Sequence, residues 1–391
     1  MAESVIRPPS SDRAVAASIG KNTLYGIAGS VVHMLARVLV VPVAIHHLGL
    51  EGYGIWAVLM TIAAYMTLGS AGIKSAFQKY VAESTGTGEF ERASRLLSTG
   101  TAAVLLISAV VLLPVAACST QLAVVVGVPN AFLPAASKSI VLLALSALFA
   151  NVTQTYQSVI MGAHRIDLRE KINLVIEPFN ALITVGFLYF GFGLISMSVV
   201  FCAYQIVGGI FWYIYARRVL PVVHVAPRFI SRSAIKELVR FAGSYQLLNS
   251  LELLYAAILP IGILKCFGAA AAGIFALSAR LVSVATLIQG PYLQAVLSGG
   301  SLVYAASSNE RANAFVTKSF KAMSLLSIIP LAFIALYGTR IAWIWTGSAD
   351  PLLAGTIMLL CAANLCRSLS SLFRVLYRVS GGAVMDNAQL I

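Results

Sequence analysis

STGTAAVLLISAVVLLPVAAC (Ser98–Cys118) is a run of 21 residues without one charged side chain. An α-helix rises about 1.5 Å per residue, so about 20 apolar residues cross a hydrocarbon core of about 30 Å. The run is too long for a barrel strand and lacks strict alternation of apolar and polar positions. It reads as a transmembrane helix. Working outward, comparable runs occupy 22–48, 54–76, 137–161, 172–190, 193–216, 238–266, 269–297, 317–337 and 352–378. The expected fold is therefore an all-α polytopic membrane protein with about ten transmembrane helices.

Composition agrees. Apolar residues make up 59% of the 391-residue chain, charged residues 10%, and the mean hydropathy is +0.88. Soluble domains carry about 45–50% apolar and about 25% charged residues. The formal charge of +13 would point to nucleic acid in a soluble protein, but here the basic residues fall between the apolar runs. No nucleic-acid partner is expected. Residues Met1–Ser18 are polar and show no apolar core with a cleavage site, so the first span is expected to direct insertion.

Orientation follows from Lys and Arg. Of the 27, three (Arg37, Arg280 and Arg367) lie deep inside apolar runs, away from their ends. With the N-terminus inside, only Lys138, Lys265 and Arg340 reach the outer face, leaving 21 on the inner side. That split predicts cytoplasmic N- and C-termini in a bacterial inner membrane. The outer connections are short. The inner segments Phe77–Ser98 and Pro221–Arg240 are charged and amphipathic, and are expected to lie on the membrane surface.

An internal repeat divides the chain. Gly54-Ile55-Trp56-Ala57 matches Gly273-Ile274-Phe275-Ala276 at an offset of 219, and so do Glu91-Arg92-Ala93 with Glu310-Arg311-Ala312 and Gly162 with Gly381. Pro42 and Pro260 match one residue out of step, at 218. Six spans separate the copies, so both start on the same side and form parallel repeats about an axis along the membrane normal. The expected organisation is a tail at 1–21, a six-helix half at 22–216, a linker at 217–237 and a four-helix half at 238–391. Ile391 corresponds to Ile172 of the first copy, so the second copy is expected to lack a C-terminal helix pair, whether by loss or by truncation of a twelve-helix chain.

The three intramembrane arginines are the sharpest chemical signal. An arginine at bilayer centre costs about 2.5–3.5 kcal/mol on insertion scales, so each should face protein or a wet cavity. A guanidinium fork matches phosphate oxygens, and equally a structural carboxylate or carbonyl. Glu252 is the central carboxylate, with Asn249 and Tyr245 at i−3 and i−7 on its helix face. Its depth lies within about one turn of Arg280, which allows either a coupling acid beside a substrate arginine or a static pair. Glu177 precedes Pro178 and reads as a helix-end group. Asn151, Gln154 and Gln157 form a polar stripe, suited to interhelical hydrogen bonds or sugar contacts. His46 and His47 are adjacent and point to different faces, and Ser298-Gly299-Gly300 precedes no Lys-Ser/Thr pair, so neither a metal site nor a phosphate loop is expected. The five cysteines form no CxxC pair; Cys118 and Cys266 are the two that a disulfide would join.

The run Asn22–Leu48, followed by Gly49-Leu50-Glu51-Gly52-Tyr53-Gly54-Ile55-Trp56, resembles the opening of the Wzx-like polysaccharide flippases. These belong to the multidrug/oligosaccharidyl-lipid/polysaccharide exporter (MOP) superfamily. The segment Gly86–Arg92 and Gly162-Ala163-His164-Arg165 are similar to family positions too. The resemblance implies a MATE/MOP-like fold and no enzymatic activity. It implies a cationic cavity and a polyprenyl-pyrophosphate-linked oligosaccharide as cargo, flipped for O-antigen or exopolysaccharide biosynthesis. Membrane lipid, a polysaccharide polymerase and glycosyltransferases are the implied partners. No cofactor is implied beyond proton or sodium coupling. Alternatives are a cation-coupled multidrug exporter of the same fold, a membrane polymerase or glycosyltransferase, and a truncated non-transporting remnant. Membrane-depth arginines outnumber carboxylates, favouring an anionic cargo, and the short outer connections leave little room for an enzyme's acceptor domain.

Overall fold

The computed structural model describes residues 12–67, 71–163, 165–191, 193–293, 296, 309–347 and 350–377, without the side chains of 12–28, 30–31, 33–37, 71–72, 75, 166, 240–257, 309–312 and 377. Among the described residues there is no strand. The helices are α1 (Asp12–Met66), α2 (Ala71–Thr87), α3 (Phe90–Ala117), α4 (Ser119–Val126), α5 (Leu133–Gly162), α6 (Ile166–Tyr189), α7 (Gly193–Val219), α8 (Arg232–Ala285), α9 (Asn309–Thr346) and α10 (Leu352–Tyr377). Eight described segments are long and apolar enough to span a membrane. Two of them, Val38–Met66 and Ile258–Ala285, each join two of the ten sequence runs.

The joins sit at equivalent glycines. Gly49 breaks α1 with φ 69° and ψ 172°, and Gly268 breaks α8 with φ 88° and ψ 178°. They are 219 residues apart, the spacing of the sequence repeat. This backbone region is closed to residues with a Cβ, so glycine lets two spans meet without a longer loop. Pro42 and Pro260 lie inside the helices preceding the two breaks.

The chain forms two compact units, Met1–Ala272 and Gly273–Ile391. The boundary falls beyond the 217–237 linker, because the linker is packed into the first unit. In that unit one apolar cluster gathers Ile55, Leu59, Ile140, Leu143 and Leu264 at the end nearer Gly49. A second gathers Phe77, Leu96, Leu97, Ile160 and Trp212 at the opposite end. Helices approach closely through small residues: an added Cβ on Gly162 would stand 2.6 Å from Val81 Cβ and 2.8 Å from the Gln78 carbonyl. In the second unit Val296, Met323, Leu372 and Leu376 form the core. There Gln289 Nε2 donates to Ser327 Oγ at 3.3 Å, and Ser368 Oγ donates to Gln289 Oε1 at 2.6 Å.

Two connections depart from expectation. Phe77–Ser98 turns its apolar stripe to the protein rather than to lipid: α2 buries Ala76, Phe77, Tyr80, Val81 and Ser84 along one helical stripe. The charged Lys79 and Glu83 pair outward at 3.6 Å. The segment is amphipathic, but its apolar stripe is taken up by the protein. The connection after α3 holds the short α4, whose Ala123 and Val126 are buried. Gly127, at φ 94°, ends it 2.9 Å from Lys265 Cα by the position of an added Cβ.

Candidate functional site

Among the described residues, the buried carboxylates of the first unit lie on α6. Glu170, Asn173, Glu177, Asn180 and Thr184 recur every three or four residues and so share one face of that helix. Glu170, Glu177 and Thr184 are buried. The helix begins at Ile166, so Glu177 lies about three turns inside it rather than at its end. The expected start near Ile172 was displaced because Asp167, Arg169, Glu170 and Lys171 carry the first turns outside the apolar run. There Arg165 Nε meets Asp167 Oδ1 at 3.1 Å, outside the stripe.

Each member of the stripe is held differently. Glu177 accepts a 2.8 Å hydrogen bond from the Tyr204 hydroxyl of α7. The Glu170 carboxylate occupies the place where a Cβ on Gly29 of α1 would stand, so glycine lets it press against the α1 backbone. Arg169 Nη1 approaches Glu170 Oε1 at 3.5 Å. Asn180 Oδ1 is buried without a hydrogen-bond partner among the described residues. Buried acceptors are rarely left unpaired, so this oxygen, one turn from Glu177, is available to a cation or a water. Among the described residues no group of three His, Cys, Asp or Glu side chains could hold a metal ion.

The α5 stripe expected from sequence divides. Asn151 is buried and its Nδ2 donates to Ser108 Oγ of α3 at 2.7 Å. Thr155 meets Thr101 Oγ1 at 3.0 Å on the same face. Gln154 and Gln157 are half-buried, and Gln157 lies about 120° around the helix from Asn151. Spacing at i, i+3, i+6 drifts around a helix by about 120° over the three positions, whereas 151, 155 and 158 stay together. Asn151 is thus a helix–helix contact.

Arg280 is half-buried and makes no ion pair or side-chain hydrogen bond among the described residues. Arg367 is exposed, beside the buried Ser368. Arg37, Tyr245, Asn249 and Glu252 lie outside the described side chains. Cys118 and Cys266 are free thiols, not a disulfide. His47 stacks edge-on against Tyr189 at 4.8 Å, a packing role.

At the far end of the first unit, the segment before α8 is fastened to α3. Ser94 Oγ accepts from the His224 amide at 3.0 Å, Ser98 Oγ from the Ala226 amide at 3.1 Å, and Thr99 Oγ1 from the Ser231 amide at 2.9 Å. Arg92 pairs with Glu237 at the start of α8 and lies over the Tyr80 ring. Burial, then the Glu237 and Glu83 carboxylates, push the Tyr80 phenol above its ordinary range.

The sequence profile described as "Polysaccharide biosynthesis protein" matches residues 19–298. The chain belongs to this polysaccharide biosynthesis family. No curated protein gives a match. The fold is that of MATE transporters of the MOP superfamily. An inward-facing multidrug-resistance MATE transporter aligns with a TM-score of 0.76 at 14% identity, over 94% of this chain and 83% of its own. A MOP transporter from Pyrococcus furiosus, described as having reversed binding-pocket polarity, gives 0.69 at 14% identity, over 96% and 84%. An outward-facing MATE transporter gives 0.67 at 15%, over 96% and 84%.

Proposed function

We propose that this chain flips a polyprenyl-diphosphate-linked oligosaccharide across a bacterial inner membrane by alternating access, with both termini cytoplasmic. The observation that carries the reading is the polysaccharide biosynthesis match over residues 19–298, on a fold otherwise represented by transporters. In this reading the protein moves its cargo without chemical change. Glycosyltransferases supply the substrate and a polymerase consumes it. Arg37 and Arg280 contact the diphosphate. The buried acid stripe of α6, with Glu177 and the Asn180 oxygen that has no partner among the described residues, takes a proton or sodium ion that drives the cycle.

That same acid stripe favours one second reading, a cation-coupled drug exporter, since buried carboxylates suit organic cations. A single assay separates the two. Reconstituted protein is given a fluorescent lipid-linked oligosaccharide on one leaflet, and its arrival on the other is followed by a membrane-impermeant quencher. Arrival that is faster with protein, and slowed about tenfold by Arg280→Ala or Arg37→Ala, is expected from the loss of charged hydrogen bonds. Export of a lipophilic cation with no glycolipid movement would replace the flippase reading.

A further inference from the structure

Between α5, α7 and the segment after α7 lies a cavity of about 170 Å³. Tyr156, Tyr213, Arg217 and His224 bring polar groups to its lining, and Val159 and Ala216 close its apolar side. The lining contains no carboxylate. Tyr156 and Tyr213 meet edge-to-face at 5.2 Å, one ring from each helix. Among the described residues neither hydroxyl has a hydrogen-bond partner, and Arg217 has no ion pair. His224 Nδ1 donates to the Val222 carbonyl at 2.8 Å, which leaves Nε2 outside that bond. The wall bearing His224 is held in place by the Ser94 and Ser98 bonds to its backbone.

The cavity lies beside lipid-facing surface. Tyr213 is 46% exposed, and Val207, Ile210 and Ile214 are exposed on the same helix. Positions 207, 210, 214 and 217 follow one face of α7, so an apolar track leads along the helix to Arg217. Tyrosine is enriched in the headgroup region of membrane proteins. A guanidinium and phenol donors with no counter-charge match a phosphate diester with net negative charge.

We propose that this cavity binds the phosphate of an anionic phospholipid, with an acyl chain lying along Val207, Ile210 and Ile214. A zwitterionic lipid brings a cation that this lining has no carboxylate to receive. Such a lipid wedges α5, α7 and the segment before α8 together. The site depends on the membrane fold alone and not on which cargo is carried.

Arg218 supplies the control. It neighbours Arg217, carries the same charge and is exposed, with its guanidinium over Tyr215 rather than in the cavity. The full-length protein, purified in detergent, is titrated with phosphatidylglycerol, phosphatidylcholine or inorganic phosphate and read by native mass spectrometry and thermal shift. Phosphatidylglycerol should bind and stabilise, and Arg217→Gln should weaken it roughly tenfold while Arg218→Gln changes it less than about twofold. Tyr213→Phe, which keeps the ring, should weaken it by a smaller factor and provides a second test if Arg217→Gln does not fold. Equal loss in the two arginine variants would mean diffuse surface attraction and overturn the site. So would retention unchanged by Arg217→Gln and Tyr213→Phe, or equal binding of phosphatidylcholine. Stabilisation by inorganic phosphate at the same concentrations would reassign the cavity to a free anion.

Discussion

The Tyr204 hydroxyl of α7 donates to the Glu177 carboxylate of α6 at 2.8 Å, in a helix pair whose outer faces are apolar. A buried acid with a defined donor is held in one place, which a static scaffold and a coupling site both require. The two roles separate by experiment. Tyr204→Phe removes the donor and should cost about 1–3 kcal/mol of stability. Glu177→Gln keeps the shape and an acceptor, so it should unfold near the wild-type temperature yet lose most of the gradient-driven rate. Wild-type transport by a folded Glu177→Gln protein would leave the stripe a purely structural role.

Gly49 and Gly268 should be equally intolerant of a side chain. Nothing stands within 4 Å of an added Cβ at either, so only backbone strain is in play. Strain in this region is worth about 1–3 kcal/mol. Gly49→Ala and Gly268→Ala should each lower the thermal midpoint, while Gly262→Ala, helical and equally uncrowded, should not. A midpoint unchanged in both variants would show that the breaks relax without cost.

Gly162→Ala tests close packing instead. Its Cβ would meet the α2 backbone at the Gln78 carbonyl, which cannot move aside as a flexible side chain would. Overpacking of this kind costs about 1–3 kcal/mol. Thermal unfolding should show it, and the paired change Val81→Ala should recover only part, because the carbonyl remains.

The hydroxyls of α3 should control the segment before α8. Replacing Ser94, Ser98 and Thr99 by Ala, Ala and Val strands the amides of His224, Ala226 and Ser231. Each lost bond is worth about 0.5–1.5 kcal/mol, so local amide exchange should rise by roughly threefold to tenfold per site. Exchange at 222–231 unchanged in the triple variant would show that apolar packing of Val223 holds the segment by itself.

Arg92 and Glu237 are both partly exposed, at 45% and 35% of their side chains. Pairs of this kind contribute about 0–1 kcal/mol. Glu237→Gln should therefore leave the thermal midpoint within about 2 °C at physiological salt. A larger fall would mean that the Tyr80–Arg92–Glu237 group acts as one network.

The sequence by itself determined that this protein is a ten-run helical membrane protein with an internal repeat. Length and apolarity are properties of single segments, and the bilayer admits few ways to satisfy a buried backbone. The repeat at 219 residues was legible because both copies keep the same glycines and prolines at helix ends. The α6 stripe was also written in the sequence at 170, 173, 177, 180 and 184, but its charged first turns obscured where the helix begins. Only the tertiary structure decided which polar residues meet. Asn151 faces Ser108 and Gln157 does not, because a helix turns 100° per residue and packing selects which side is covered. Tyr204 reaches Glu177, 27 positions back, and Tyr156 joins Tyr213, Arg217 and His224, 57 to 68 positions on, around one cavity. No local pattern encodes such meetings; they arise when helices that the bilayer has already made settle against one another.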